Sequence, residues 1–438
     1  MMPDSLRRFH VAGAGLLLAL GCAAPVAALT VRVPADQPTL AAGIAAAAPG
    51  DTVLVAPGTY SGLDNRDLDF AGKDLVLRSE AGALETTIDC QELGRAIRFH
   101  TGETNAAVVD GFTIRNGKMV GFETAFWGGA IACDESAPSI LRCVFETNTA
   151  SIGGAIALLS TTGAAPAVRE CSFTGNSASQ QGAGVVCDGV QTTFVLCIFS
   201  LNSALVQGGA AMCIGGGTHV TFNDCAFTEN FAGSGGGVLA RDGQVTLNDC
   251  VLANNTATSS GGGLIVSNEA NAVLNRCVLH GNSVGAVLLR ASIGHTASLT
   301  LANCTIGANP STGLVADGDV DATVENTIIA YNGPGAAVTC ADPSATVTLS
   351  CSDLFGNEGG DWTGCIAGQA GTAGNLAADP LFCNRPAYDY HLAAASPCAP
   401  AQSGACGLIG ALRVIDCPNA VAPATWGGIK ARGLRGGR

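Results

Sequence analysis

Asp224 stands directly before Cys225, Asp249 before Cys250 and Arg276 before Cys277. Two carboxylates on neighbouring repeats can divide general acid and base roles between them, and an arginine beside them can serve as a base or neutralise an acidic sugar. The same position reads Arg142, Glu170 and Leu196 earlier and Asn303 later. A solvated edge of mixed sign is therefore the competing explanation, with Asp224, Asp249 and Arg276 as the catalytic candidates. A second acidic set lies mostly beside Gly or Ser: Asp134, Glu135, Asp188, Asp242, Glu269 and Asp317. Such residues are typical of turns. Within "DGDVD", Asp317, Asp319 and Asp321 are the candidate ligands for Ca²⁺, the one cofactor considered; otherwise no cofactor is expected. The histidines His100, His219, His280, His295 and His391 have no metal-ligand spacing, and no serine sits in a strained-elbow motif.

Whatever holds these residues must repeat. Asn148, Asn176, Asn202, Asn230, Asn255, Asn282 and Asn309 recur at steps of 25 to 28 residues. Asn116 looks like an earlier member, and Asn332 and Asn357 look like later ones. Five residues before each stands Cys143, Cys171, Cys197, Cys225, Cys250, Cys277 or Cys304. Two after each cysteine comes Phe145, Phe173, Phe199, Phe227, Leu252, Leu279 or Ile306. Period two marks a strand with one buried face. A second strand follows the glycine cluster, with Ile131, Ile156 and Val185 in register. A third precedes the cysteine, with Ile140, Val168 and Phe194 three residues ahead of it. That odd offset requires a bend or bulge. Three short strands per coil predict an all-β, right-handed parallel β-helix of ten to twelve coils, a rod on the order of 50 Å long. The Asn is expected at a bend in left-handed conformation, its amide bonded to the Asn above and below. The ladder cysteines read as small buried hydrophobes, with Cys133–Cys143 and Cys187–Cys197 as alternative cross-coil pairs. Cys340, Cys351, Cys365, Cys383, Cys398, Cys406 and Cys417 fall outside the period and are expected to include disulfides.

The net charge of −14 leaves no basic face for nucleic acid. With 47% hydrophobic and only 13% charged residues the chain is too apolar to be disordered. Arg7 and Arg8 precede a short apolar run, Val11 to Leu20, and "APVAALT" offers cleavage after Ala28. Residues 1–28 therefore read as an export signal, with lipidation at Cys22 as a variant and no other membrane-spanning stretch. Residues 29–412 form the β-helix domain. Residues 413–438, ending "TWGGIKARGLRGGR", are expected to be a flexible basic tail.

The FxxN motifs at Phe145–Asn148, Phe173–Asn176, Phe199–Asn202 and Phe227–Asn230, with GGAI at Gly128–Ile131 and Gly153–Ile156, resemble the repeats of chlamydial polymorphic outer-membrane proteins. That family consists of surface adhesins built on β-helices, and the likeness covers roughly residues 110 to 340. "PADQPTLAAGIAAAAPGDTVLVAPGTY", Pro34 to Tyr60, is similar to the opening of pectin-lyase-like β-helices, which implies a short capping helix over Leu40 to Ala48. "DPLFCNRPAYDYHLAAASPCAP" followed by "GLIGAL" resembles the closing coils of secreted bacterial β-helix proteins. These resemblances imply a secreted or cell-surface repeat protein, non-catalytic, adhesin-like or polysaccharide-binding, with a periplasmic site as a variant. Its partners would be polysaccharide, cell envelope or a surface protein. A pectate-lyase-like polysaccharide lyase or a glycoside hydrolase is the alternative.

Overall fold

The computed structural model describes residues 28–121 and 127–417. The expected export signal up to residue 27, Cys22 within it, and the expected tail beyond residue 417 lie outside the described residues. Residues 413–417, expected to be tail, belong to the fold. Ile415 N donates to Leu392 O at 3.0 Å, and Cys417 is disulfide-bonded to Cys383.

One coil, residues 191–218, shows the construction. Gln191–Val195 lies in a 13-stranded parallel sheet, here face A. Ile198–Ser200 lies in a 12-stranded sheet, face B. Ser203–Gln207 lies in a six-stranded sheet, face D, and Ala211–Ile214 in an 11-stranded sheet, face C. Pairing between consecutive coils is parallel and in register, for example Phe194 with Phe222 and Phe199 with Phe227. The result is the expected right-handed parallel β-helix, with a fourth strand per coil in its middle. Face D escaped the sequence pattern because strands such as Ser177–Gln181 carry one buried residue among polar ones.

The interior is a set of stacked columns. Phe145, Phe173, Phe199 and Phe227 stack at 4.9, 4.5 and 5.0 Å between ring centroids. The ladder cysteines are buried, and the cross-coil pairs Cys133–Cys143 and Cys187–Cys197 do not form. Each thiol instead bonds backbone carbonyls, as Cys197 Sγ does with Val195 O and Val168 O. Burial pushes the Cys90 thiol up to about 12, and drives Cys171, Cys187 and Cys277 up as well. Protonated buried thiols are poor nucleophiles.

Left-handed backbone falls one residue earlier than expected. The ladder asparagines are not left-handed; the residues before them are, among them Thr147, Leu201, Glu229 and Asn254 with φ of 54 to 57°. Asn116 is itself left-handed, and Gly117 N takes the ladder bond to Asn148 Oδ1. A second left-handed column, Arg142, Glu170, Leu196, Asp224, Asp249, Arg276 and Asn303, forms the bend between faces A and B. It accounts for the odd offset ahead of each cysteine.

The glycine cluster has its own geometry. Gly153, Gly182, Gly208, Gly235 and Gly261 have φ of 59 to 68° and lie over the outward side chains of face C. Ala157, Val186, Met212, Leu239 and Ile265 are thereby buried although they point away from the interior. A Cβ on Gly182 would sit 2.5 Å from Val185 O, whereas one on Gly175, also left-handed, meets nothing within 4 Å. Gly182→Ala is expected to cost about 3 kcal/mol, combining left-handed strain with overpacking, and Gly175→Ala about 1 kcal/mol from strain alone. Equal urea midpoints for the two variants would contradict this packing.

Both ends of the rod are closed. The helix Leu40–Ala46, capped by Thr39 Oγ1 accepting from Ala42 N at 3.2 Å, buries Leu40 and Ile44 against the first coils. At the far end a 3₁₀ turn, Gly364–Gln369, buries Ile366. The Gln369 side chain accepts from Leu349 N and donates to Val347 O, both at 2.8 Å, covering the last strand of face A. The segment expected to supply the closing coils does something else. After Leu376 pairs with Asp353, the chain runs back along the outside of face B as a strap. Tyr390 is buried and its hydroxyl donates to Gly307 O at 3.1 Å. Gly410 N reaches Asn326 O, and Asn303 Nδ2 reaches Leu408 O. Disulfides Cys340–Cys365, Cys351–Cys406 and Cys383–Cys417 fasten this region, and Cys398 remains free and buried.

Candidate functional site

Asp224, Asp249 and Arg276 come together on successive coils, at the left-handed bend bordering face A. Arg276 grips Asp249 through Nε to Oδ1 at 2.8 Å and Nη2 to Oδ2 at 2.6 Å. Both Asp249 oxygens are thus engaged, and the pair is about half exposed. Hydrogen bonding to Asp249, with the charge of Asp224 beyond it, raises Arg276 above its ordinary value. An arginine acting as a base must give up its proton, so this shift runs against that role.

Glu135 and Asp317, in the acidic turn set, have structural employment. Glu135 accepts from Thr161 N, Thr161 Oγ1, Thr162 Oγ1 and Ser160 Oγ at 2.6 to 2.8 Å. The threonine and serine bonds hold its carboxyl down to about 2. Asp317 pairs with Arg290 at 2.8 Å. Asp319 lies in the turn that follows, and Asp321 points outward from face A. Among the described residues no three His, Cys, Asp or Glu side chains converge as metal ligands.

The outward side of face A carries a feature that the inward columns hid. Thr193, Thr221, Thr246, Val273, Thr300, Thr323 and Thr348 pair in register along seven strands. At about 4.8 Å per strand this column is about 29 Å long. Beside it run Gln191, His219, Gln244, Asn271 and Ser298 on one flank, and Val195, Asn223, Asn248, Asn275 and Ala302 on the other. The asparagines form an exterior ladder: Asn275 Nδ2 donates to Asn248 Oδ1 at 2.8 Å, and Asn248 Nδ2 to Asn223 Oδ1 at 2.9 Å. Each of Asp224, Asp249 and Arg276 directly follows one of these asparagines. Over the five strands from Gln191 to Ala302 the outward positions hold no Asp, Glu, Lys or Arg. The first charges, Asp321 and Glu325, come one coil later. The signal for this face was legible as the polar partner of the Phe194 and Phe222 alternation.

The sequence family described as "Right handed beta helix region" matches residues 210–375. No curated protein matches the chain. Among solved structures, a periplasmic alginate epimerase, AlgG, is 8% identical over 75% of each chain, with a TM-score of 0.44. Pectate lyase Pel9A is 14% identical over 86% of this chain and 91% of that one, with a TM-score of 0.39. A mannuronic acid specific family 6 polysaccharide lyase from human gut microbiota is 13% identical over 75% of this chain and 81% of that one, with a TM-score of 0.34. Strand order, register and the sequence family agree: this chain contains a right-handed parallel β-helix.

Proposed function

We propose that the protein is an exported, non-catalytic rod that holds a polysaccharide, in adhesin-like fashion, along the outward side of face A. The carrying observation is the outward face from Gln191 to Ala302, dominated by hydroxyl and amide side chains and free of Asp, Glu, Lys and Arg in a chain of net charge −14. Threonine, asparagine and glutamine both donate and accept hydrogen bonds, matching the hydroxyls of a sugar polymer. A flat surface suits an extended polymer, whereas small ligands favour concave sites. The Asn223–Asn248–Asn275 ladder fixes its amides before any ligand arrives, which lowers the ordering cost of binding. Export is supported by the signal-like residues 1–28 and by three disulfides, which persist in oxidising compartments.

The test is retention of the mature protein, from Leu29, on a panel of insoluble neutral and acidic polysaccharides, with soluble product assayed in parallel. Retention without product is expected. Thr221→Glu/Thr246→Glu, which puts two charges at the centre of the face, should weaken retention at least tenfold. Release of reducing or unsaturated ends, lost in Asp224→Asn/Asp249→Asn, would replace this proposal with an enzymatic one.

A further inference from the structure

Three coils before Gln191–Val195 the same edge of face A opens into a cleft of about 530 Å³. Arg78 pairs in register with Asp110, and Asp110 with Leu141, which places Arg142 at the next bend. Asp110 is buried and lies between two arginines: Arg78 Nε donates to its Oδ2 at 2.9 Å, and Arg142 Nη2 to the same oxygen at 2.5 Å. Both guanidinium groups are about half exposed, and their other nitrogens have no partner among the described residues. One carboxylate against two guanidiniums leaves one positive charge, local to a strongly acidic protein.

The cleft exists because of a glycine. At the bend where later coils carry Arg142, Glu170 or Leu196, this coil has Gly111, with φ of 79°, so no side chain fills the space. The opposite wall is the loop Ala81–Leu84. Ser79 Oγ fixes that loop by accepting from Ala81 N at 3.1 Å and Gly82 N at 2.8 Å. Leu84 at its tip is 93% exposed. Guanidinium donors thus face an apolar side chain across an open cleft. A sugar acid has that pair of features, a carboxylate on one edge and a C–H face. Arginine recognises a carboxylate through paired N–H donors.

We propose that this cleft binds the carboxylate of an acidic saccharide unit between Arg78 and Arg142, with Leu84 against the ring. The saccharide half of the assignment rests on the polysaccharide function proposed above; the anion half does not.

The experiment is calorimetric titration of the mature protein at low salt with a trigalacturonate and with its uncharged galactose counterpart. The acid should bind at least tenfold more tightly. Arg142→Gln should remove most of that preference, and Arg142→Lys should restore part of it. Leu84→Asp, on an exposed loop, should weaken acid binding at least fivefold and does not depend on the fold tolerating a change beside Asp110. Acetate should compete at least tenfold less well than the trimer. Equal affinities for the two trimers, or unchanged acid binding in folded Arg142→Gln and Leu84→Asp, would overturn the proposal. Equal competition by acetate would overturn its saccharide half. The cleft is read as the preference for the acid over the neutral trimer and face A as retention on insoluble polysaccharide, so failure of the cleft and failure of the face A proposal are separable.

Discussion

Asn230→Ala should lower the stability of the rod by about 4 kcal/mol, read as a shift of the urea transition. Asn230 is fully buried. Its Oδ1 accepts from both Asn202 N, at 3.0 Å, and Asn202 Nδ2, at 2.9 Å. Its own amide donates to Phe199 O at 3.0 Å and to Asn255 Oδ1 at 2.9 Å. Truncation would leave Asn202 N without a partner and take one buried hydrogen bond each from Asn202 Nδ2 and Phe199 O, with no water to replace them. Each such loss costs about 1–3 kcal/mol. The matched control is Asn248→Ala in the exterior ladder. Its bonds to Asn223 and Asn275 are of the same length, but water can replace them. That variant should stay within about 0.5 kcal/mol of the parent. A similar loss in both would show that ladder bonding as such, rather than burial, holds the coils together.

The second large effect concerns pH and involves two groups beneath the strap. Asp353 is fully buried, accepting from Ala378 N at 3.1 Å and from Cys398 Sγ. Burial, with the charges of Asp361 and Asp379 adding to it, raises its carboxyl from 3.8 to about 6. His280 stacks on Tyr388 at 4.4 Å and lies 5.6 Å from Tyr390. Burial lowers it from 6.5 to about 4. Between pH 4 and 6 folded Asp353 keeps a proton that the unfolded chain has lost, so its contribution falls as pH rises. Over pH 4 to 6.5 the unfolded chain binds a proton that folded His280 refuses, so the histidine contribution rises with pH. Each amounts to about 3 kcal/mol, and the two oppose each other. Asp353→Asn should therefore match the parent near pH 4 and exceed it by about 3 kcal/mol at pH 7. His280→Phe should show its larger advantage at pH 4. Taking each variant against the parent removes every other titrating group. A difference that does not vary with pH would refute the burial of the group concerned.

The inward columns were readable because each repeats one residue type at a fixed offset: Asn202 under Asn176, Cys197 under Cys171, Phe199 under Phe173. The positions that turn the chain were misplaced by one residue. Left-handed sites are occupied by Thr147, Leu201, Glu229 and Tyr331, which share no chemistry, while the Asn beside them is conspicuous. Disulfides were foreseen among the late cysteines, but their pairing depends on the strap, whose path is set by contacts such as Tyr390 on Gly307, 83 residues apart. Asp224, Asp249 and Arg276 share one edge because each precedes a ladder cysteine. Their mutual geometry required coordinates. Arg78 and Asp110 gave no such signal, because the first coils are irregular in length and 32 residues separate the pair.

A solenoid whose coils touch only their neighbours can fray from its ends, one repeat at a time. The strap changes that arithmetic for the C-terminal part of this rod. Its hydrophobic contacts and hydrogen bonds reach Val251, Val278, Gly307, Ile328 and Asp353, on five successive coils. None of those coils can open toward the end without first losing the strap, and the strap is bonded to the last of them through Cys351–Cys406. The terminal five coils are therefore joined into a single cooperative block, while the coils before them retain the graded, neighbour-by-neighbour stability of an open stack.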